Sequence, residues 1–156
     1  MNFLKNLVCV LVIGGLLTGC TTTRKMLNLD TAAKLEFTAD KQLNPDNDGR
    51  PSPLVVTVIK LQDKRNFERQ DFLSLYENPQ ETLGADYLGR VRLQEILPGG
   101  EHTETLELDE NVKYLGLIAE YTQYDKAKAT ALVAIEPHKT NTYSIQLLPL
   151  KIVVEK

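Results

Sequence analysis

Apolar and polar residues alternate along most of this chain in short runs separated by turn formers, and a period of two is the signature of strands. In Lys34-Leu35-Glu36-Phe37-Thr38-Ala39 the residues Leu35, Phe37 and Ala39 share one face, as a half-buried strand requires. Leu54 to Leu61 (Leu-Val-Val-Thr-Val-Ile-Lys-Leu) is β-branched and nearly continuous, which predicts a central strand buried on both faces. The runs Tyr87 to Ile96, Glu104 to Leu108, Lys113 to Tyr121, Thr130 to Ile135, Thr142 to Leu147 and Lys151 to Val154 extend the series. Turn signals punctuate it at Pro98-Gly99-Gly100, Asp109-Glu110-Asn111, Tyr124-Asp125-Lys126 and Pro137-His138-Lys139. One stretch breaks the rhythm. Between Asn66 and Asn78 the apolar residues Phe72, Leu75 and Tyr76 fall at i, i+3 and i+4, Asn66 or Asp71 is placed to cap, and Pro79 stops the pattern, so one or two helical turns are expected. Short strands without alternating long helices predict a mainly β fold, an antiparallel β-sandwich with a short helical insertion between its second and third strands.

The first residues follow a different logic. Lys5 supplies a positive flank and Leu7 to Leu17 an apolar run of secretory-signal length, well short of the ~20 residues a spanning helix needs. The run ends in Leu17-Thr18-Gly19-Cys20, which resembles the lipobox of bacterial lipoproteins, whose cysteine is acylated and becomes the first residue of the mature chain. The resemblance implies a cleaved signal over residues 1–19 and lipidation at Cys20. Three acyl chains would hold the protein stably, whereas one holds a protein only marginally at about 0.8 kcal/mol per buried methylene. Thr21 follows the cysteine where an aspartate usually marks inner-membrane retention, which favours the outer membrane. Cys9 leaves with the signal, so no disulfide is expected and stability must come from packing. Thr21 to Thr31 is polar and aperiodic and reads as a tether, with a reach of about 36 Å stretched or roughly 18 Å as a flexible coil.

Composition narrows the function further. Removing 1–19 leaves a chain of ordinary single-domain size, and the balance of 18 basic against 21 acidic residues contains no single-sign run. Nucleic acid, which asks for a basic stripe, is excluded as a partner. With two histidines and no tryptophan, catalytic and metal chemistry are thinly supplied. Ser74 lacks a Gly-x-Ser-x-Gly setting, His102 reads as a solvated loop residue, and His138 as a hairpin tip. Glu107 and Asp109 alternate with Leu106 and Leu108 as a solvent face does, and Tyr114, Tyr121, Tyr124 and Tyr143 read as sheet aromatics with wet hydroxyls. No cofactor, metal or small-molecule substrate is expected, and no enzyme activity.

The segment Asn44-Pro45-Asp46-Asn47-Asp48-Gly49-Arg50-Pro51-Ser52-Pro53 is the most unusual in the domain. Asn44, Asp46, Asp48 and Gly49 imitate the start of a calcium loop, but Pro45 stiffens its second position and Val55 stands where the bidentate glutamate belongs. Asn-Pro and Asp-Gly are turn formers, and the three prolines stiffen whatever they connect. A stiff polar loop on a β-scaffold is also where binding usually resides, because it loses little entropy on contact. On physics alone, plain connector and partner-binding loop both stand.

This loop, the strand Leu-Val-Val-Thr-Val-Ile-Lys-Leu that follows it, and Phe67-Glu-x-x-Asp71-Phe72-x-x-Leu75-Tyr76 together resemble the TssJ (SciN) lipoproteins of the type VI secretion system, over essentially the whole chain. The resemblance implies an outer-membrane lipoprotein facing the periplasm, with a transthyretin-like β-sandwich and a small helical addition. It further implies that the loop between the first two strands, here Asn44 to Pro53, binds the periplasmic C-terminal region of the inner-membrane protein TssM. The expected division is a signal over 1–19, a lipidated tether over 20–31 and a periplasmic domain over 32–156. A rival expectation from the binding class is a small hydrophobic ligand held between the sheets.

Overall fold

The structure, a computed structural model, describes residues 30–155. The strands are β1 (Thr31–Ala39), β2 (Val56–Leu61), β3 (Tyr87–Arg92), β4 (Glu101–Leu108), β5 (Tyr114–Ala119), β6 (Thr130–Ala134), β7 (Thr140–Leu148) and β8 (Lys151–Glu155). Between β2 and β3 lie three short helices, α1 (Arg65–Arg69), α2 (Phe72–Glu77) and α3 (Pro79–Leu83), and a 3₁₀ turn over Gly84–Asp86. The expected signal peptide, the cut before Cys20, the lipidation site and the tether up to residue 29 lie outside the described residues. The last expected tether residue, Thr31, is already in β1, in register with Leu108.

The strands form two four-stranded sheets, ordered β4-β1-β7-β8 and β3-β2-β5-β6. The sandwich is antiparallel as expected, apart from one pair: β1 runs parallel to β7, from Ala32 beside Thr140 to Ala39 beside Leu147. A parallel pair needs a long crossover connection, and most of the domain lies between these two strands in the chain. The strand alternation builds the core directly. Ala33, Leu35 and Phe37 of β1 and Ile145 and Leu147 of β7 meet Val56 and Val58 of β2 and Leu115, Leu117 and Ala119 of β5. Each fully buried leucine or phenylalanine there contributes about 1.5–3 kcal/mol.

Strand β2 is apolar on both faces because two cores meet on it. Its outward residues Ile59 and Leu61, with Ile118 of β5, are covered by Phe67, Leu75 and Leu83 of the helices. At Gly116 on the same face the Phe67 ring comes so close that a Cβ would sit 2.4 Å from it. The helical stretch therefore does more than interrupt the strands; it caps one sheet. Its local chemistry follows the caps. Asp71 accepts from the backbone N–H of Ser74 and opens α2. Asn66 lies inside α1 instead. Pro79 ends α2 as expected, yet it also starts α3, since proline has no N–H to lose in a first helical turn.

The run expected to begin β2 at Leu54 and end β3 at Ile96 is broken. Leu54 and Ile96 still pair as an isolated bridge, but Gln94 and Glu95 between Leu93 and Ile96 are exposed and unpaired in the ladder. The residues after that bridge turn the chain into the other sheet.

Candidate functional site

The Asn44–Pro53 loop leaves the end of β1 and returns to β2, and it is folded in its own right. Two rungs close it: Ser52 N–H donates to Leu43 O (3.0 Å), and Asp46 N–H donates to Arg50 O (2.9 Å). Inside the second rung, Gly49 N–H donates to Asp46 O at 3.0 Å and Gly49 takes a φ of +79°, the turn that Asp-Gly favours.

Asn44 is the keystone. It is 3 % exposed, and its φ of +47° is a conformation that asparagine tolerates better than most residues. Its Nδ2 donates to Pro53 O (2.8 Å) and its Oδ1 accepts Thr122 N–H (2.8 Å). Its carbonyl oxygen accepts the Ser52 hydroxyl at 2.6 Å, and its N–H donates to Pro149 O at 3.1 Å. Gln123 adds a brace from the same side, its Nε2 donating to Pro45 O (2.9 Å) and Asp46 O (3.1 Å). The loop base is thus clamped by the β5–β6 connection, 78 residues further along the chain.

Asp46 holds the tip. One carboxylate oxygen accepts the N–H groups of Asp48 and Arg50, each at 2.9 Å, and the other accepts Arg50 Nε at 2.9 Å. Arg50 then reaches Asp48 Oδ2 at 2.7 Å. The Arg50 backbone N–H, more than any other cause, holds the Asp46 carboxyl below its ordinary range. The oxygens of Asn44 and Asp46 that a calcium loop would aim at a cation are therefore engaged within the protein.

The ten candidate residues separate by role. Asn44, Pro45, Asp46 and Ser52 are buried or half-buried and build the loop, whereas Asn47, Asp48, Gly49, Arg50, Pro51 and Pro53 face solvent. A partner would meet the second set. The residues that brace the loop, Thr122 and Gln123, carry no motif and lie far away in sequence, so spacing could not reveal them.

Other expectations change with the geometry. His102 is not a loop residue: it lies in β4, faces inward opposite Phe37, and its Nε2 sits 3.4 Å from Glu104 without the alignment of a hydrogen bond. The β-period simply begins earlier than Glu104, at Glu101. His138 marks a connection between the two sheets, with φ +61° and its N–H on Thr31 Oγ1, rather than a hairpin tip. Ser74 serves the α2 cap, its hydroxyl donating to Asp71. Leu106 and Leu108 are buried while Glu107 is exposed, as a solvent-facing alternation requires. The Tyr121 hydroxyl is not wet: it donates to Leu148 O at 2.9 Å, and burial pushes it well above the usual phenol range. Tyr143 donates to Ala134 O, and Tyr124 lies outside the sheets altogether.

Comparison with known proteins places this geometry. Among solved structures, the type VI lipoprotein TssJ1 from Pseudomonas aeruginosa is 28 % identical with a TM-score of 0.75, covering 81 % of this chain and 95 % of that one. Lip, a membrane-bound type VI component from Serratia marcescens, is 21 % identical with a TM-score of 0.73, covering 81 % and 98 %. A chain of a structure described as the T6SS protein TssM C-terminal domain from EAEC is 20 % identical with a TM-score of 0.67, covering 81 % and 98 %. The two more distant likenesses speak to the shared fold. A search of curated proteins found no match. The model of the type VI secretion lipoproteins (VasD, EvfM, TssJ) matches residues 31–149, from the first residue of β1 to the turn before β8, and the chain belongs to that family.

Proposed function

We propose that this type VI secretion lipoprotein couples the outer membrane to a trans-envelope complex. Acyl chains on Cys20 hold it in the outer membrane, residues 20 to 30 tether it, and the 44–53 loop docks the periplasmic C-terminal region of a TssM-like inner-membrane protein. The role is mechanical, and it requires no catalytic residue or cofactor.

The observation that carries this reading is the construction of the loop. Asn44 and Gln123 clamp its base to another connection, and the Asp46–Arg50 network fixes its tip, while Asn47 to Pro51 stay exposed. A plain link between two strands needs no such bracing. A pre-ordered tip suits docking, because the ordering entropy is lost on folding rather than on binding. The rival reading, a hydrophobic ligand between the sheets, has no comparable support. Leu35, Phe37, Leu115 and Ile145 are at most 1 % exposed and occupy that space. Ile59 belongs to the second core beneath the helices.

A photo-crosslinking amino acid tests the docking site in the native envelope. Placed at Asn47 it should capture the TssM-like protein; placed at Glu110, at the opposite end of the sandwich, it should not. Equal capture from both positions, or from Glu110 alone, would contradict the reading.

A further inference from the structure

The loop shares its end of the molecule with a second exposed feature. Gln123, which braces Pro45 and Asp46, is followed directly by Tyr124. The Tyr124 ring stacks on Phe72 of α2, with centroids 5.4 Å apart and planes 16° from parallel. Phe72 in turn stacks on Tyr76, at 5.6 Å and 8°. One ladder of three rings therefore runs from the brace of the loop across the helical insertion.

The middle ring is structural and the outer two are not. Phe72 packs against both cores, whereas Tyr124 is 42 % and Tyr76 45 % exposed, with Leu73 beside them at 39 %. Stacking fixes these rings, so each presents rigid apolar area with little rotamer freedom left to lose, the property that concentrates binding energy in interface tyrosines.

Beyond the ladder, Tyr76 and Leu75 wall a groove of about 480 Å³ whose other lining includes Arg90, Arg92 and Glu120. Arg92 is committed, since its Nη2 reaches Glu120 at 2.8 Å and Thr57 Oγ1 donates to the same carboxylate at 2.9 Å. Arg90 is exposed on the same face of β3, two residues earlier, and among the described residues it has no ion-pair partner. Glu77 lines the groove without closing onto it within ion-pair distance. The groove thus offers one uncommitted guanidinium beside an aromatic wall.

We propose that the Tyr124-Phe72-Tyr76 ladder and Arg90 form a second contact patch for the protein that docks on the 44–53 loop, taking an apolar side chain on the rings and an acidic side chain at Arg90. The proposal rests on the docking reading of the loop, and continuity selects the occupant. A chain seated on the loop lies one residue, through Gln123, from the first ring of the ladder. The patch would give the helical insertion a binding task in addition to covering its sheet.

Titration of the full chain in detergent with the purified periplasmic region of the TssM-like partner tests it. Tyr76→Ala combined with Tyr124→Ala should weaken binding about ten- to thirtyfold, the size of one strong interface anchor, with the domain still folded at the temperature of the titration. Tyr76→Phe with Tyr124→Phe should bind as the parent does. Arg90→Glu should weaken binding by a similar factor, and it carries the test alone if the alanine pair proves unstable. Affinity within twofold of the parent for both the alanine pair and Arg90→Glu, while removal of residues 46–52 abolishes binding, would overturn the patch and leave the loop standing. Unchanged binding after that removal would instead overturn the loop. If the alanine pair loses self-association but keeps the partner, the ladder belongs to a contact between copies of this chain and the proposal fails.

Discussion

Asn44 Oδ1 accepts the backbone N–H of Thr122 at 2.8 Å, and this bond joins the first connection between the sheets to the β5–β6 connection 78 residues later. Asn44→Ala removes it together with the bond to Pro53, and leaves an alanine at a φ of +47°. The expected cost is about 3 kcal/mol, from two lost bonds at a buried site and a strained backbone. Urea denaturation should show a lower midpoint with an unchanged slope. Asn44→Asp keeps the acceptor for Thr122 but sets a carboxylate oxygen against Pro53 O at a buried site, so at neutral pH it should cost no less. An unaltered midpoint for Asn44→Ala would remove the keystone from the account.

Asp46 gives the tip a defined pH response. Its carboxyl titrates below the ordinary range in the folded protein, so the order it supports is fully present above that range and is lost as pH falls through the depressed folded value. Partner affinity should be flat from pH 8 to 5 and decline only below about pH 4. Asp46→Asn should weaken the partner while leaving global stability nearly unchanged, because exposed ion pairs contribute little. Amide hydrogen exchange at Asp48 and Arg50 reads the same event locally, and it should accelerate in the variant at neutral pH.

Gly116 sets the distance between the helical insertion and its sheet. A Cβ there would stand 2.4 to 2.8 Å from three atoms of the Phe67 ring, which is itself buried and cannot swing clear. Gly116→Ala should destabilise the fold by about 1–3 kcal/mol, and Phe67→Leu in the same chain should recover part of that loss. Thermal melts of the two single variants and the double variant measure the coupling. Strict additivity would contradict the contact.

Cys20→Ser tests the proposed lipid anchor separately from the domain. The variant should move from the membrane fraction to the soluble periplasmic fraction in cells lacking the partner, with an unchanged melting temperature and unchanged affinity for that partner. Retention in the membrane fraction would show that something other than an acylated Cys20 holds the protein.

Much of this fold was legible in the chain because the signals are local. Alternation in Lys34 to Ala39 and the continuous run ending at Leu61 correctly mark strands, and the double burial of β2 follows from its composition. The helical insertion was legible in place but not in extent, since Pro79 can both end one helix and begin the next. Pairing between distant strands was not legible: nothing near β1 announces that β7 will run parallel to it. The same limit applies at the site. The Asp46–Arg50 turn is written in adjacent residues, whereas the clamp from Thr122 and Gln123 and the Tyr124-Phe72 stack depend on tertiary contacts between segments that share no motif.

In the proposed function a pre-ordered loop, rather than the sandwich as a whole, docks the partner. Isothermal titration of the periplasmic region of the TssM-like protein into the chain lacking residues 46–52 tests it most directly, with the melting temperature of the domain as control. The shortened chain should fold and give no binding heat. A folded domain that binds with the parent's affinity would contradict it.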